Sequence, residues 1–184
     1  MTGLLNVPNA LTLLRIVLVP VIVWALLTGR HLLALFLTAL AGLTDLFDGW
    51  IAKRFNQQTK VGAYLDPFAD KLLLLSTMLI LFLTDRVPLP LFLAVLFRDV
   101  IIVVGALAYE LATRKLEMAP LFSSKLTTVL QIVFVLTAML NSAWPLPPLL
   151  LALVVWSTFA FTCISGLQYM LLWSRKAISA ERGI

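Results

Sequence analysis

The sequence predicts an all-α, polytopic membrane protein: six transmembrane helices in a single membrane domain over residues 1–184, with both termini cytoplasmic. Three observations carry this expectation. Of the 184 residues, 61% are hydrophobic and 12% charged, whereas a soluble domain carries about a quarter charged residues. The apolar residues fall in successive stretches near the roughly 20 residues that a helix needs to cross a bilayer. Lys and Arg are spread unevenly about those stretches, in the manner that sets membrane topology. The mean hydropathy of +1.02 agrees with lipid as the solvent.

The spans are expected at 10–29, 32–52, 66–84, 89–112, 125–143 and 147–173. Their breaks are chemically marked. Gly29-Arg30-His31 separates the first two, and Asn56-Gln57-Gln58-Thr59-Lys60 is a polar turn after the second. Asp85-Arg86-Val87-Pro88 ends the third. The stretch from Thr113 to Pro120 forms the next loop, and Asn141 to Pro148 the last. Trp24, Trp144 and Trp173 fall near span ends, where interfacial aromatics or ordinary lipid-facing bulk are both expected.

With six spans, one side holds Arg15, Lys53, Arg54, Lys60, Lys71, Arg114, Lys115, Lys125, Arg175, Lys176 and Arg182. The other side holds Arg30 and Arg86, and Arg98 lies inside a span. Eleven against two places the termini and the loops 52–66 and 113–125 in the cytoplasm. The same bias explains the net charge of +5 without nucleic acid, because the basic residues cap apolar segments and form no stripe. Cys163 is the only cysteine, so no intrachain disulfide can form. His31 is the only histidine, which excludes a histidine-based metal site. Residues 1–10 carry no Lys or Arg and no small-residue cleavage pattern follows, so the N-terminus is expected to stay with the mature chain.

Four of the nine acidic residues lie between 45 and 70: Asp45, Asp48, Asp66 and Asp70. Asp45 and Asp48 are spaced i, i+3 and share a helix face with Gly49 and Ala52. Asp66 and Asp70 are spaced i, i+4 at the start of the next span. A short turn between the helices would bring four carboxylates together at the cytoplasmic membrane edge. A carboxylate at mid-bilayer costs about 2.5–3.5 kcal/mol on insertion scales, so acids in spans are functional candidates by default. Four like charges also repel, and something positive must offset them. Oxygen donors alone suit hard cations such as Mg²⁺, Mn²⁺ or Ca²⁺, and two metals would fit a phosphoryl-type displacement. The bland alternatives are a solvated loop or salt-bridged pairs. Gly49 and Ala52 leave room for a substrate near the backbone, or else serve helix packing. Lys53, Arg54 and Lys60 are candidate partners of the acids and natural phosphate binders. A cation path is the non-enzyme alternative, although a transport site would more often lie near the midplane.

The segment Asp45-Leu-Phe-Asp48-Gly49-Trp-Ile-Ala52-Lys53, eight residues, Gly62-Ala-Tyr-Leu-Asp66-Pro-Phe-Ala-Asp70 resembles the signature of the CDP-alcohol phosphotransferase family. Seven of eight fixed positions agree in residue and spacing. Asn9-Ala-Leu-Thr12-Leu-Leu-Arg15 is similar to the family's N-terminal segment, and Ser165-Gly166-Leu-Gln-Tyr169 to its last-span segment. The departure is Lys53, where the family usually has Arg; Arg54 follows it. Lys cannot make the bidentate fork of Arg, so either residue is a candidate for the diphosphate. The resemblance implies transfer of a phosphatidyl group from CDP-diacylglycerol to an alcohol with release of CMP. It implies Asp45, Asp48 and Asp66 as metal ligands, with Asp70 as general base, close to a metal. Gly49, Ala52, Lys53 or Arg54, and Gly62 would line the CDP-lipid site. The implied cofactors are divalent cations, Mg²⁺ or Mn²⁺ and two in number, with Ca²⁺ a non-productive occupant. Location in a bacterial inner membrane or its equivalent follows, and a homodimer is compatible with it.

The acceptor rests on Arg98 and Lys125. Arg98 sits in a span beside Asp99, either as a local ion pair or as a phosphate contact. Lys125 opens the fifth span, either as a helix-end anchor or as a second phosphate contact, with Thr128 and Gln131 facing the bundle near it. Together they suit a phosphate-bearing acceptor, phosphatidylglycerol or glycerol 3-phosphate. Arg98-Asp99-Val100 and the stretch Pro120 to Gln131 resemble eukaryotic-type cardiolipin synthases of the family, whereas the 56–59 turn and the block 65–71 look equally like phosphatidylglycerophosphate synthases. The loop from Arg114 to Phe122 mixes charge with Leu116, Met118 and Leu121, as a lipid-facing entrance would. The expectation leans to phosphatidylglycerol as acceptor.

Overall fold

The computed structural model describes residues 7–54, 60–113 and 122–181, with side chains for 10–44, 65–108 and 122–174. The described residues form helices and no strands. The helices are α1 (Val7–Leu27), α2 (His31–Arg54), α3 (Lys60–Leu83), α4 (Leu89–Thr113), α5 (Phe122–Ala143) and α6 (Pro148–Glu181). Each corresponds to one expected span. Two ends differ from the hydropathy estimate by more than four residues. α3 starts six residues before 66, and α6 runs eight residues past 173. Hydropathy marks the apolar part of a helix rather than its ends, and no Gly or Pro interrupts residues 174–181.

Four helices are long and apolar enough to cross a membrane among the described residues: Ala10–Leu27, Leu89–Ala108, Phe122–Ala143 and Pro148–Ser174. The protein is therefore an integral membrane protein. His31–Thr44 in α2 is a shorter apolar stretch. α3 carries Asp66, Asp70 and Lys71 ahead of its apolar run. Large exposed apolar side chains such as Val17, Phe36, Phe97, Leu149 and Trp156 face what in a bilayer is lipid.

The turns follow from local chemistry. At the end of α1, Gly29 adopts φ 74°. Its N–H donates to Leu26 O at 3.1 Å, and the Arg30 N–H donates to Ala25 O at 2.8 Å. This is a Schellman ending, which needs a left-handed residue at its centre. The end of α3 repeats the pattern with Asp85 at φ 57°, the Arg86 N–H reaching Leu81 O at 2.8 Å. Arg30 folds back over Trp24, with Cζ 4.8 Å from the ring centroid. Asn141 Oδ1 accepts the Leu146 N–H at 3.0 Å. Pro148 opens α6, where its missing N–H costs no helical bond.

The chain forms two compact units. One comprises residues 1–87 and 135–146, the other 88–134 and 147–184. In the first, α1 packs against both α2 and α3. Ala25, Ala34 and Ala41 are fully buried there, as are Ile22 and Met78. Lipid offers no hydrophobic drive to associate helices, so close approach over small residues and interhelical hydrogen bonds must hold them. In the second unit α4 packs along α6, with Leu91 and Val95 buried. A methyl group added at Gly105 would overlap the Trp173 indole, so the bare backbone of α4 makes room for that ring.

Candidate active site

Asp66 and Asp70 occupy the opening turns of α3, on either side of Pro67 and Phe68. The residue pair that meets them comes from α1. Thr12 Oγ1 donates to Asp66 Oδ1, and Arg15 Nη1 donates to Asp70 Oδ1 at 2.6 Å. The register is regular: one turn along α1 corresponds to one turn along α3. Both helices therefore run in the same direction, with their N-terminal ends at one level. Thr12 is fully buried. Arg15 is 1% exposed, whereas the Asp70 side chain is 46% exposed. An isolated buried guanidinium costs several kcal/mol, and the carboxylate of Asp70 offsets that cost while being held in place.

Thr12 and Arg15 belong to the segment that is similar to the family's N-terminal one, and Arg15 is also a topology charge, but the sequence assigns neither a role at the site. Their signal is the i, i+3 spacing in Asn9-Ala-Leu-Thr12-Leu-Leu-Arg15. That spacing matches the i, i+4 face of Asp66 and Asp70 only once α1 lies along α3. Asp45, Asp48, Gly49, Ala52, Lys53 and Arg54 lie in the final turns of α2, and Gly62 in the first turn of α3. Their side chains fall outside the described residues, as does the turn 55–59. Among the described residues no three His, Cys, Asp or Glu side chains come together, and the side chains of Asp45 and Asp48 are not among those described. What is described fits a hard cation in kind: two carboxylates on one face, with Thr12 and Arg15 orienting them from behind.

The second unit holds the other two expected site residues. Arg98 is 2% exposed and tied to three helices. Its Nη1 donates to Asp99 Oδ1 at 2.6 Å. Nη2 donates to Ser124 Oγ and to Ser124 O at 3.2 Å. Nε reaches Ser165 Oγ at 3.5 Å. Its stem passes over Gly166, where an added Cβ would lie 3.7 Å from Arg98 Cβ. The ion pair with Asp99 is thus present, and serines of α5 and α6 take up the rest of the fork. Lys125 lies one residue beyond Ser124 and is exposed. Phe122, 82% exposed, opens the same helix. The loop 114–121 that would complete a lipid-facing entrance lies outside the described residues. Ser123 Oγ and Gln168 Oε1 form a further bond between α5 and α6.

Comparison with known proteins bears on the chemistry of this arrangement. The chain is 30% identical over 194 residues to cardiolipin synthase (CMP-forming) of Rattus norvegicus, covering 97% of this chain and 64% of the rat protein. The chain thus spans less than two thirds of that relative's length. It is 33% identical over 171 residues to CDP-diacylglycerol–glycerol-3-phosphate 3-phosphatidyltransferase of Rickettsia felis, covering 89% of this chain and 93% of the relative. The enzyme of the same name from Aquifex aeolicus is 35% identical over 127 residues, 68% of this chain and 70% of its own. A model of the CDP-alcohol phosphatidyltransferase family matches residues 5–173. That span takes in α1 with Thr12 and Arg15, all four aspartates, and the Arg98 cluster, and so the chain belongs to the CDP-alcohol phosphatidyltransferase family.

Proposed function

We propose that this protein transfers a phosphatidyl group from CDP-diacylglycerol to the hydroxyl of a glycerol-type acceptor, releasing CMP, with phosphatidylglycerol as acceptor and cardiolipin as product. The observation that carries the chemistry is the Asp66–Asp70 face of α3 held by Thr12 and Arg15. Family membership supports catalysis over the alternative of a cation path.

An alcohol is a weak nucleophile until its proton is taken. Asp70 is the base: Arg15 fixes its Oδ1, and the side chain is open enough for a hydroxyl to approach. The acceptor oxygen bonds to the phosphorus that carries the diacylglycerol. The phosphorus–oxygen bond to CMP breaks, and CMP leaves with the electron pair. Asp45, Asp48 and Asp66, with Asp70 close by, would hold Mg²⁺ or Mn²⁺, two ions in number. Such ions neutralise charge on the phosphates and the leaving group. Thr12 orients Asp66 for that role. Gly49, Ala52, Gly62 and Lys53 or Arg54 would take the CDP moiety.

Lys125, exposed beside Phe122 at the head of α5, supports an acceptor that combines an anionic phosphate with acyl chains. Arg98, neutralised by Asp99, shapes that region from within α4. A second reading, glycerol 3-phosphate as acceptor, is favoured by the Rickettsia felis relative, which this chain matches over 93% of its length. The eleven-to-two distribution of Lys and Arg supports six spans with the site and both termini at the cytoplasmic face, and the parallel course of α1 and α3 fits that alternation.

Purified protein in lipid nanodiscs tests the reading. CMP release from CDP-diacylglycerol should require Mg²⁺ or Mn²⁺, stop with chelator, and not be restored by Ca²⁺. Asp45→Asn, Asp48→Asn and Asp66→Asn should abolish turnover, and Asp70→Asn should lower it by about 10²–10⁴-fold. A four-chain lipid product supports phosphatidylglycerol as acceptor. Exclusive formation of phosphatidylglycerol phosphate would overturn that choice, and chelator-resistant turnover would overturn the metal assignment.

A further inference from the structure

Gln131 is fully buried on α5, and among the described residues neither its Nε2 nor its Oε1 has a hydrogen-bond partner. Thr162, on α6, is 1% exposed and its Oγ1 is likewise without a partner among the described residues. Both belong to the second unit. Their neighbours behave otherwise. Thr127 Oγ1 donates to Ser123 O at 2.8 Å and to Phe161 O at 3.1 Å. Thr158 Oγ1 donates to Val154 O at 2.7 Å and reaches Leu130 O at 3.4 Å. The usual resort of a buried helical threonine, its own helix's carbonyl one turn back, is thus taken by Thr127 and Thr158 but not by Thr162.

Burying an amide without hydrogen bonds is costly, and natural interiors rarely leave such groups unmatched. Here three unmatched polar atoms lie on adjoining helices. Gln131 is seven residues, two turns, beyond Ser124 and so shares its face of α5. Thr162 is three residues before Ser165 and shares its face of α6. Ser124 and Ser165 are the residues that hold Arg98. The polar line that begins at Arg98 therefore continues into the unit for about 10 Å along α5. A helical glutamine leans towards its own helix's N-terminus, back along that line towards Ser124. The line is charged at one end, with Lys125 beside it, and neutral at the other. A carboxamide that can donate and accept, with a hydroxyl one helix away, matches a group that itself donates and accepts: an alcohol.

We propose that Gln131 and Thr162 form a neutral, hydroxyl-reading subsite that binds the free central hydroxyl of a phosphorylated glycerol head group. This rests on the proposed glycerol-type acceptor and names the atoms that would select it. The glycerol can come from a soluble phosphate ester or from a lipid, and both present the same hydroxyl.

The test compares wild type with Gln131→Met, which keeps the length of the side chain, and Thr162→Val, which keeps its shape. One arm uses glycerol 3-phosphate against 3-hydroxypropyl phosphate. The other uses vesicles of phosphatidylglycerol against vesicles of its propane-1,3-diol analogue. Each analogue keeps the primary nucleophile and phosphate but lacks the central hydroxyl. Wild type should prefer the glycerol compound in kcat/KM by about tenfold or more in the productive arm, the worth of one or two hydrogen bonds. Either variant should reduce that preference to about threefold or less, with KM for CDP-diacylglycerol unchanged and a melting temperature equal to or above wild type. The arm that responds identifies the source of the glycerol. Wild type that uses both compounds of an arm equally would overturn the subsite while leaving the proposed function standing. So would variants that gain stability and keep full discrimination, the outcome expected if buried water satisfies these atoms. Absence of CMP release from wild type with every acceptor would overturn the proposed function and the subsite together.

Discussion

Replacing Arg15 by methionine removes a buried charge whose position, 2.6 Å from Asp70 Oδ1, sets the orientation of the proposed base. Breaking a fully buried ion pair costs about 3–5 kcal/mol, mostly through the charge left behind. Here the remaining partner, Asp70, is 46% exposed and can be solvated. The loss is therefore nearer the about 1.5–3 kcal/mol of a hydrogen bond to a charged group. If the orientation of Asp70 is what that bond contributes to the transition state, turnover falls about 10- to 150-fold. Arg15→Lys keeps the charge without the planar fork and should fall between. The assay is CMP release at saturating CDP-diacylglycerol and acceptor, alongside the melting temperature of each variant. A merely structural role would lower the melting temperature and leave kcat of the folded fraction intact. Folded Arg15→Met with kcat within about twofold of wild type would refute the assignment of Arg15 as a positioning residue.

Four further outcomes are expected. Thr12→Val, nearly isosteric, removes the hydroxyl that donates to Asp66; it should raise the Mg²⁺ concentration needed for half-maximal CMP release by about tenfold, as outer-shell partners of metal ligands typically do. Gly105→Ala should lower stability by about 1–3 kcal/mol because its methyl group overlaps the Trp173 indole, and pairing it with Trp173→Ala in a double-mutant cycle should show strong coupling in thermal melts. Asp85→Gly should raise stability by about 0.5–1 kcal/mol, since residue 85 adopts φ 57°, a region in which glycine carries no side-chain penalty; a lowered melting temperature would mean the Asp85 side chain contributes more than its backbone costs. With Cys163 replaced, single cysteines at Asn56 and Thr113 should react with impermeant reagent from the cytoplasmic side and one at Asn141 from the opposite side, and labelling of position 56 from outside would sink the six-span topology.

Much of this protein was legible in the sequence because membrane helices are specified one at a time. An apolar run of sufficient length must be helical, since lipid offers its backbone no other hydrogen-bond partner. The six expected segments are six helices among the described residues, four of them long and apolar enough to cross a membrane, with turns at Gly29, Asp85 and Pro148. The helix ends at Lys60 and Glu181 were not legible, because polar residues continue a helix without any hydropathy signal. The aspartates stood out for a related reason: each charge in a span carries a cost that a partner must offset, and four such residues fall within one short window.

Which partner offsets each charge is a matter of tertiary structure. Arg15 entered the topology count as one more cytoplasmic cation, and only the packing of α1 along α3 shows it buried against Asp70, 55 residues away in sequence. Thr12 stands in the segment similar to the family's N-terminal one, but only the same packing aligns it with Asp66. Arg98 was open to two readings, and the fold supplies the ion pair with Asp99 and the two serines, from α5 and α6, that complete its fork. The sequence places Gln131 on the bundle side of its helix near Lys125, and only burial from neighbouring helices shows its polar atoms unmatched among the described residues. Sequence determines which segments enter the membrane, because transfer into lipid is a local property of each segment. Pairing of polar side chains across helices depends on register and rotation, which no single segment contains.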